Sequence, residues 1–294
     1  MKPDIQYTIQ IGTDFDGGQE LVWTLIREDV SRKNLFVPRP RTYRRQLEEL
    51  SNNFNGTPVD EETLRKLFDS NQFDPEEPAF CFFSIKDKMQ SSENFCPGGI
   101  WFSGIGERAA HYRKLLAPYP LRWMISLRNP AMILSDAWAS GNYPEFKATP
   151  PNPFRLRWAS VLRDLRTHSP DVEIVAWCAE EAPVTWNRVL SAATHSMFQP
   201  SISAETHMAA YLMTAEGSER LASFLEQRET MPWNKRAQAI KIFLDKFAKD
   251  KNLRANMAIP DWSEQKQDQM ERHYKADLAE VAQMDGVEFI APET

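Results

Sequence analysis

"IQIGTDFDGGQELVWTLI", residues 9–26, decides how this chain is read. The run ending in Gly12 has the character of a β-strand. Past Gly18, residues Leu21, Val22, Leu25 and Ile26 recur at helical spacing. Strand, glycine-bearing turn and helix make the frame in which free loop amides and a helix N-terminus hold a phosphate. Yet this turn carries Asp14 and Asp16 and no lysine. A carboxylate about 4 Å from a bound anion costs about 1–4 kcal/mol at effective dielectrics between those of water and a protein surface. Asp16, Gly17, Gly18 and Gln19 also have capping-box spacing, an acceptor at the N-cap and a glutamine at N3. Asp16 is therefore expected to cap a helix that begins near Gly17. The rival reading is a backbone that still holds an anion, with positive charge brought from elsewhere.

The strand itself is unusual. Ile5, Tyr7, Ile9 and Ile11 alternate with Gln6, Thr8 and Gln10. A parallel strand covered on both faces is normally apolar throughout. Either its polar side lies under a polar helix surface, or the strand lines a wet cavity.

Bulk properties narrow the class. The chain has 294 residues, with 42% hydrophobic and 26% charged, ordinary for a globular protein. A net charge of −6 argues against a general nucleic-acid surface. No apolar run approaches the ~20 residues of a membrane span. The start, "MKPDIQYTIQ", has no apolar core of a signal peptide, so a cytoplasmic location is expected. Cys81, Cys96 and Cys178 are widely spaced. Cys81 and Cys178 lie in apolar runs, which suits buried free thiols, and no metal site is expected.

Further along, strands are expected at 5–11, 79–83, 121–127 and 172–178, with a short last one at "VEFI" after Gly286. Helices fall between them, including "PFRLRWASVLRDLRTHS" as one helix. From Ser203 the pattern is helical almost to the end, with breaks near Gly217, Pro232 and Pro260. "NYPEFKATPPNP", residues 142–153, is expected to be a surface loop. The alternation predicts one α/β domain over 1–294, a mainly parallel sheet flanked by helices with a helix-rich C-terminal half.

In this order the pieces resemble the bacterial sulfotransferase-like family, whose fold is that of the P-loop nucleoside-triphosphate hydrolases. The resemblance covers nearly the whole chain. It rests on the first strand-turn-helix with "LFVPRPRTYRRQL", on "LRWMISLRNPAMILSDAW", and on "RLRWASVLRDLR" and "VEIVAWCAEEAPVTW" with the closing "MERHYKADLAEVAQMDGVEFIAP". It implies 3′-phosphoadenosine-5′-phosphosulfate (PAPS) as the donor, held at Gly12, Asp16, Gly17, Gly18 and Gln19 and at Arg128 and Ser135. Against the family's loop, Phe15 stands in the lysine place, and Asp16, Gly18 and Gln19 stand in the hydroxyl places. Arg128 would grip the 3′-phosphate with a serine on the next helix. Ser135 is one residue short of the usual spacing, and Asp136 occupies the usual position. One residue turns a helical side chain by about 100°. The plainer alternative for Arg128 is a strand-end arginine paired with a nearby carboxylate.

After "AFCFF" related proteins often place an acidic residue. Here Lys86 stands there, beside Asp87, the one weak candidate for a catalytic base. A solvated cluster of Lys86, Asp87 and Lys88 is the expectation. Arg39, Arg41, Arg44 and Arg45 read as a solvated basic turn. His111, His168, His195, His207 and His273 read as structural, and Trp123, Trp158, Trp177 and Trp186 as core. The resemblance thus implies a sulfotransferase-like protein with a degenerate PAPS loop and a non-catalytic or binding role in bacterial glycan metabolism. The alternative is a divergent PAPS-dependent sulfotransferase acting on a glycan or small hydroxyl acceptor.

Overall fold

The computed structural model describes residues 5–13, 16, 18–28, 34–68, 79–89, 95–143, 151–249 and 262–292. Its strands are β1 (Ile5–Ile11), β2 (Leu35–Phe36), β3 (Ala79–Ser84), β4 (Leu121–Leu127), β5 (Glu173–Cys178) and β6 (Val287–Ile290). They form one sheet in the order β2-β3-β1-β4-β5-β6, and every neighbouring pair is parallel. β1 is central. Its residue Thr8 lies between Phe82 of β3 and Arg122 of β4.

Parallel neighbours need crossovers, and helices supply them. The first half holds α1 (Gln19–Arg27), α2 (Pro40–Asn52), α3 (Glu61–Leu67), α4 (Lys86–Met89), α5 (Ile105–Leu115) and α6 (Pro130–Ser140). The second half holds α7 (Trp158–His168), α8 (Ala182–Ala193), α9 (Ile202–Leu212), α10 (Ala215–Glu226), α11 (Trp233–Phe247) and α12 (Glu264–Val281). Alternation along β4 sorts the two faces. Trp123 and Ile125 join a cluster with Tyr43 of α2, Ile133 of α6, Leu162 of α7 and Tyr274 of α12. Met124 joins Leu21 and Leu25 of α1 and Trp186 and Leu190 of α8 on the other face. Trp123, Trp158, Trp177 and Trp186 are all core residues. A third, smaller cluster packs α9, α10 and α11 around Leu221, Leu225 and Ile240. Cys81, Cys96 and Cys178 are buried and unpaired. No helix among the described residues is long and apolar enough to cross a membrane.

Three details depart from expectation. β2 was not anticipated, because two residues carry no periodicity. The helix expected from Pro153 is a 3-10 turn at Pro153–Arg155 followed by α7, which starts at Trp158. Its start is fixed from outside: the Asp277 carboxylate on α12 accepts the Trp158 and Ala159 N–H groups. Those are donors a helix leaves unsatisfied at its own start.

The third departure is Gly217, which lies inside α10 rather than at a break. The break falls earlier, at Met213 and Thr214, where the Thr214 hydroxyl accepts the Gly217 N–H at 3.2 Å. Gly217 is there for space, since a Cβ on it would sit 2.3 Å from the Phe247 Cβ. Pro260 and residues 144–150 of the expected loop lie outside the described residues. In an exposed helix, glycine to alanine stabilises by about 1 kcal/mol. Here Gly217→Ala is expected to destabilise by about 1–3 kcal/mol through overpacking against Phe247, read as a lower urea midpoint at unchanged slope.

Candidate functional site

From β1 the chain runs to β2 and β3 on one side, then crosses to β4 on the other. In parallel sheets, ligands bind beyond the strand C-termini at such a reversal. The turn between β1 and α1 stands there.

Asp16 dominates this turn. Its side chain is fully buried, and the Lys86 ammonium donates to its Oδ1 at 2.5 Å with the Lys86 side chain only 4% exposed. The Gly18 N–H donates to Oδ1 at 2.7 Å and the Thr13 N–H to Oδ2 at 2.9 Å. The main chain is also held. The Ser126 hydroxyl of β4 donates to the Asp16 carbonyl at 2.8 Å, and the Gln10 amide donates to the Gly18 carbonyl at 2.5 Å. Burial pushes the Asp16 carboxyl up in pKa, and the Lys86 ammonium and the two amides oppose it.

Two glycines make room for this carboxylate. Gly12 has φ +131°, and a Cβ there would lie 2.2 Å from Asp16 Oδ2. A Cβ on Gly18 would meet the Gln10 amide nitrogen at 2.8 Å and Asp16 Oδ1 at 3.1 Å. Glycines that let a phosphate approach loop amides here let a side chain do so.

The expected capping box does not form. The N-cap of α1 is Gly18, which makes no side-chain cap bond, and Gln19 is exposed. The Asp16 N–H donates to the Thr13 carbonyl, so it is not available to Gln19. A box would leave the carboxylate at the helix edge, whereas Lys86 holds it inside, two residues before the N-cap. The expectation for Lys86 is corrected too. It is buried rather than solvated, because α4 follows β3 directly and Ile85 N–H is bound to the Gln10 carbonyl at 2.9 Å. Polar Gln10 and Thr8 in a central strand were the sequence signal of this arrangement. Gln10 holds the loop, and the Thr8 hydroxyl lies 2.8 Å from His195 Nε2.

The remaining candidates are placed as follows. Arg128 follows β4 and donates to Asp136 at 2.5 Å, the carboxylate-paired geometry. Ser135 is buried on α6. Asp87 is the second residue of α4, and its side chain, like Asp14, Phe15 and Gly17, lies outside the described residues. Arg39, Arg41, Arg44 and Arg45 are exposed. Of the histidines, His195 is the most constrained: it stacks on Phe80 with centroids 4.4 Å apart and has a left-handed φ of 50°. No group of three or more potential metal-ligating side chains is found among the described residues.

Compared with protein-family models, with curated proteins and with solved structures, the chain gives no match.

Two tests follow from this geometry. Removing one partner of a buried ion pair costs about 3–5 kcal/mol, because the other charge is left buried. Asp16→Ala and Lys86→Met should each lose that much in denaturant unfolding, and the double variant should lose much less than their sum. Additive losses would show the two side chains to be uncoupled. Burial, with Arg122 nearby, lowers the His195 pKa from 6.5 to about 4. The unfolded chain then takes up a proton below pH 6.5 that the folded one refuses until about pH 4, so stability falls as pH drops through that window. The contribution is at most about 3 kcal/mol and is reduced by solvent screening, since the ring is only partly buried. His195→Asn, which tolerates the left-handed backbone, should lose that part of the pH dependence.

Proposed function

We propose that this chain is a sulfotransferase-like protein whose donor site is closed by its own carboxylate, and that its role is binding rather than sulfuryl transfer. The observation that carries this reading is the Asp16 side chain resting on the Thr13 and Gly18 amides with Lys86 as its counter-ion. A donor phosphate would need those same amides and that same charge. The Arg128–Asp136 pair supports the reading in the same way, since the guanidinium meant for a 3′-phosphate already holds a carboxylate. The family part of the proposal is supported by the order of motifs in the sequence and by the β1-turn-α1 unit at the centre of a parallel sheet.

One feature favours a second reading, a divergent PAPS-dependent transferase. A cation does reach the loop, from Lys86 rather than from the loop itself. If Asp16 left its place, Lys86 would face the donor.

Titration calorimetry with adenosine 3′,5′-bisphosphate separates the two. The closed-site reading expects no binding in the micromolar range at physiological salt. Micromolar binding would overturn it in favour of the transferase. In the Asp16→Gly variant the two amides and the Lys86 ammonium are freed together. Saturating inorganic sulfate should then raise its melting temperature while leaving the native protein unchanged, since a ligand at 100 times its dissociation constant stabilises by about 2.7 kcal/mol.

A further inference from the structure

Away from the closed loop, a cavity of about 410 Å³ opens on the face covered by α1 and α8. Arg122, Arg188, Ser191, His195, Ser196 and Glu288 are among the residues that line it. Arg122 stands near the start of β4, whereas the Asp16 turn follows the end of β1, so the two places lie toward opposite ends of a parallel sheet. The inference is therefore independent of the reading of the donor loop.

The wall has a division of labour. Arg122 is held by protein partners on all three nitrogens: Nε and Nη2 share one Glu173 oxygen at 2.7 Å, and Nη1 donates to the Ala192 carbonyl at 3.2 Å. Among the described residues Arg188 makes one bond, from Nη1 to the Ala291 carbonyl at 2.6 Å, which leaves the rest of its planar fork toward the cavity for a ligand. The Ser191 and Ser196 hydroxyls are 2.9 Å apart. One donates to the other, so the pair keeps one hydroxyl hydrogen to give. Glu288, on β6, is the acidic group of the wall.

The backbone gives a second, separate indication. His195 and Ser196 have φ of 50° and 61°, two successive left-handed residues without a glycine. Such conformations are costly and gather at ligand sites. Here the strained pair brings the Ser196 hydroxyl to Ser191 and seats His195 against Thr8 and Phe80.

The geometry points to a binding site for a small polar metabolite that carries a carboxylate or phosphate at one end and hydroxyl or ammonium donors at the other. The Arg188 fork and the free serine hydrogen take the oxyanion, and Glu288 accepts from a donor group of the same ligand. The volume lies within the range of small-molecule sites and is many times the ~30 Å³ of one water, so the site suits more than a bare ion.

Histidine-ring NMR tests this. The His195 resonance is identified by its loss in His195→Asn. The protein is titrated with L-malate and, separately, with glycerol 3-phosphate, each against sodium chloride of matched ionic strength. A saturable shift of the His195 signal is expected with at least one of them: with L-malate alone the oxyanion is a carboxylate, with glycerol 3-phosphate alone a phosphate. Arg188→Gln should weaken that binding at least tenfold. If circular dichroism shows Arg188→Gln to be unfolded, Arg188→Lys, which keeps the charge but loses the fork, carries the test with a smaller loss. Two results overturn the proposal: no shift beyond the salt control from either probe up to about 10 mM, or an unchanged affinity in the folded Arg188 variant.

Discussion

The contact on which this architecture turns is the buried pair of Asp16 and Lys86. A pair of opposite charges taken out of water contributes little net stability compared with well-packed apolar side chains, and its importance lies in what its absence would leave behind. Here it also fixes geometry. Lys86 follows β3, Asp16 follows β1, and Ser126 of β4 holds the Asp16 main chain. Three neighbouring strand ends are thus tied at one residue, and the start of α1 is oriented by the Gly18 amide on the same carboxylate. Leu21, Val22 and Leu25 of α1, whose start is set there, join the cluster that also holds Trp186.

On the proposed sulfotransferase-like reading, the charges are exchanged. The resemblance would put a lysine at Phe15 and an acid at Lys86. This chain has an acid in the turn and a lysine after β3, and the two meet. An exchanged pair leaves the local charge balanced, but it reverses what the loop amides face. They meet an internal anion that needs no ligand, and the glycines that keep the backbone open to phosphate are filled from within.

Much of the fold was legible because it depends on periodicity. β1, β3, β4, β5 and β6 lie where apolar runs of strand length stand between helical patterns, and α8 coincides with "APVTWNRVLSAA". What escaped depends on contacts between distant residues. Nothing near Pro153 indicates that Asp277, more than 100 positions on, sets the start of α7. Gly217 reads as a helix breaker until Phe247 is seen against it. The candidate site shows the same division. Asp16 stood out in the turn, but its partner lay among Lys86, Asp87 and Lys88, where local composition suggests water and only the sheet order brings Lys86 inside. The cavity at Arg188 and His195 left no motif at all, since it is assembled from β4, β6 and the end of α8.

The central position of β1 has a consequence for how the chain is made. β1 is made before β3 and β4, the neighbours it needs on its two sides, and the second of these ends only at Leu127. Until then β1 lacks its β4 neighbour, Thr8 waits still longer for His195, and Asp16 waits for a lysine 70 residues downstream. Closing such long loops is an entropic cost met before any contact offsets it, which makes parallel sheets slow to assemble. The glutamine and threonine of β1 are therefore satisfied only late: Gln10 by a turn that the buried pair sets, and Thr8 by a histidine 187 residues on.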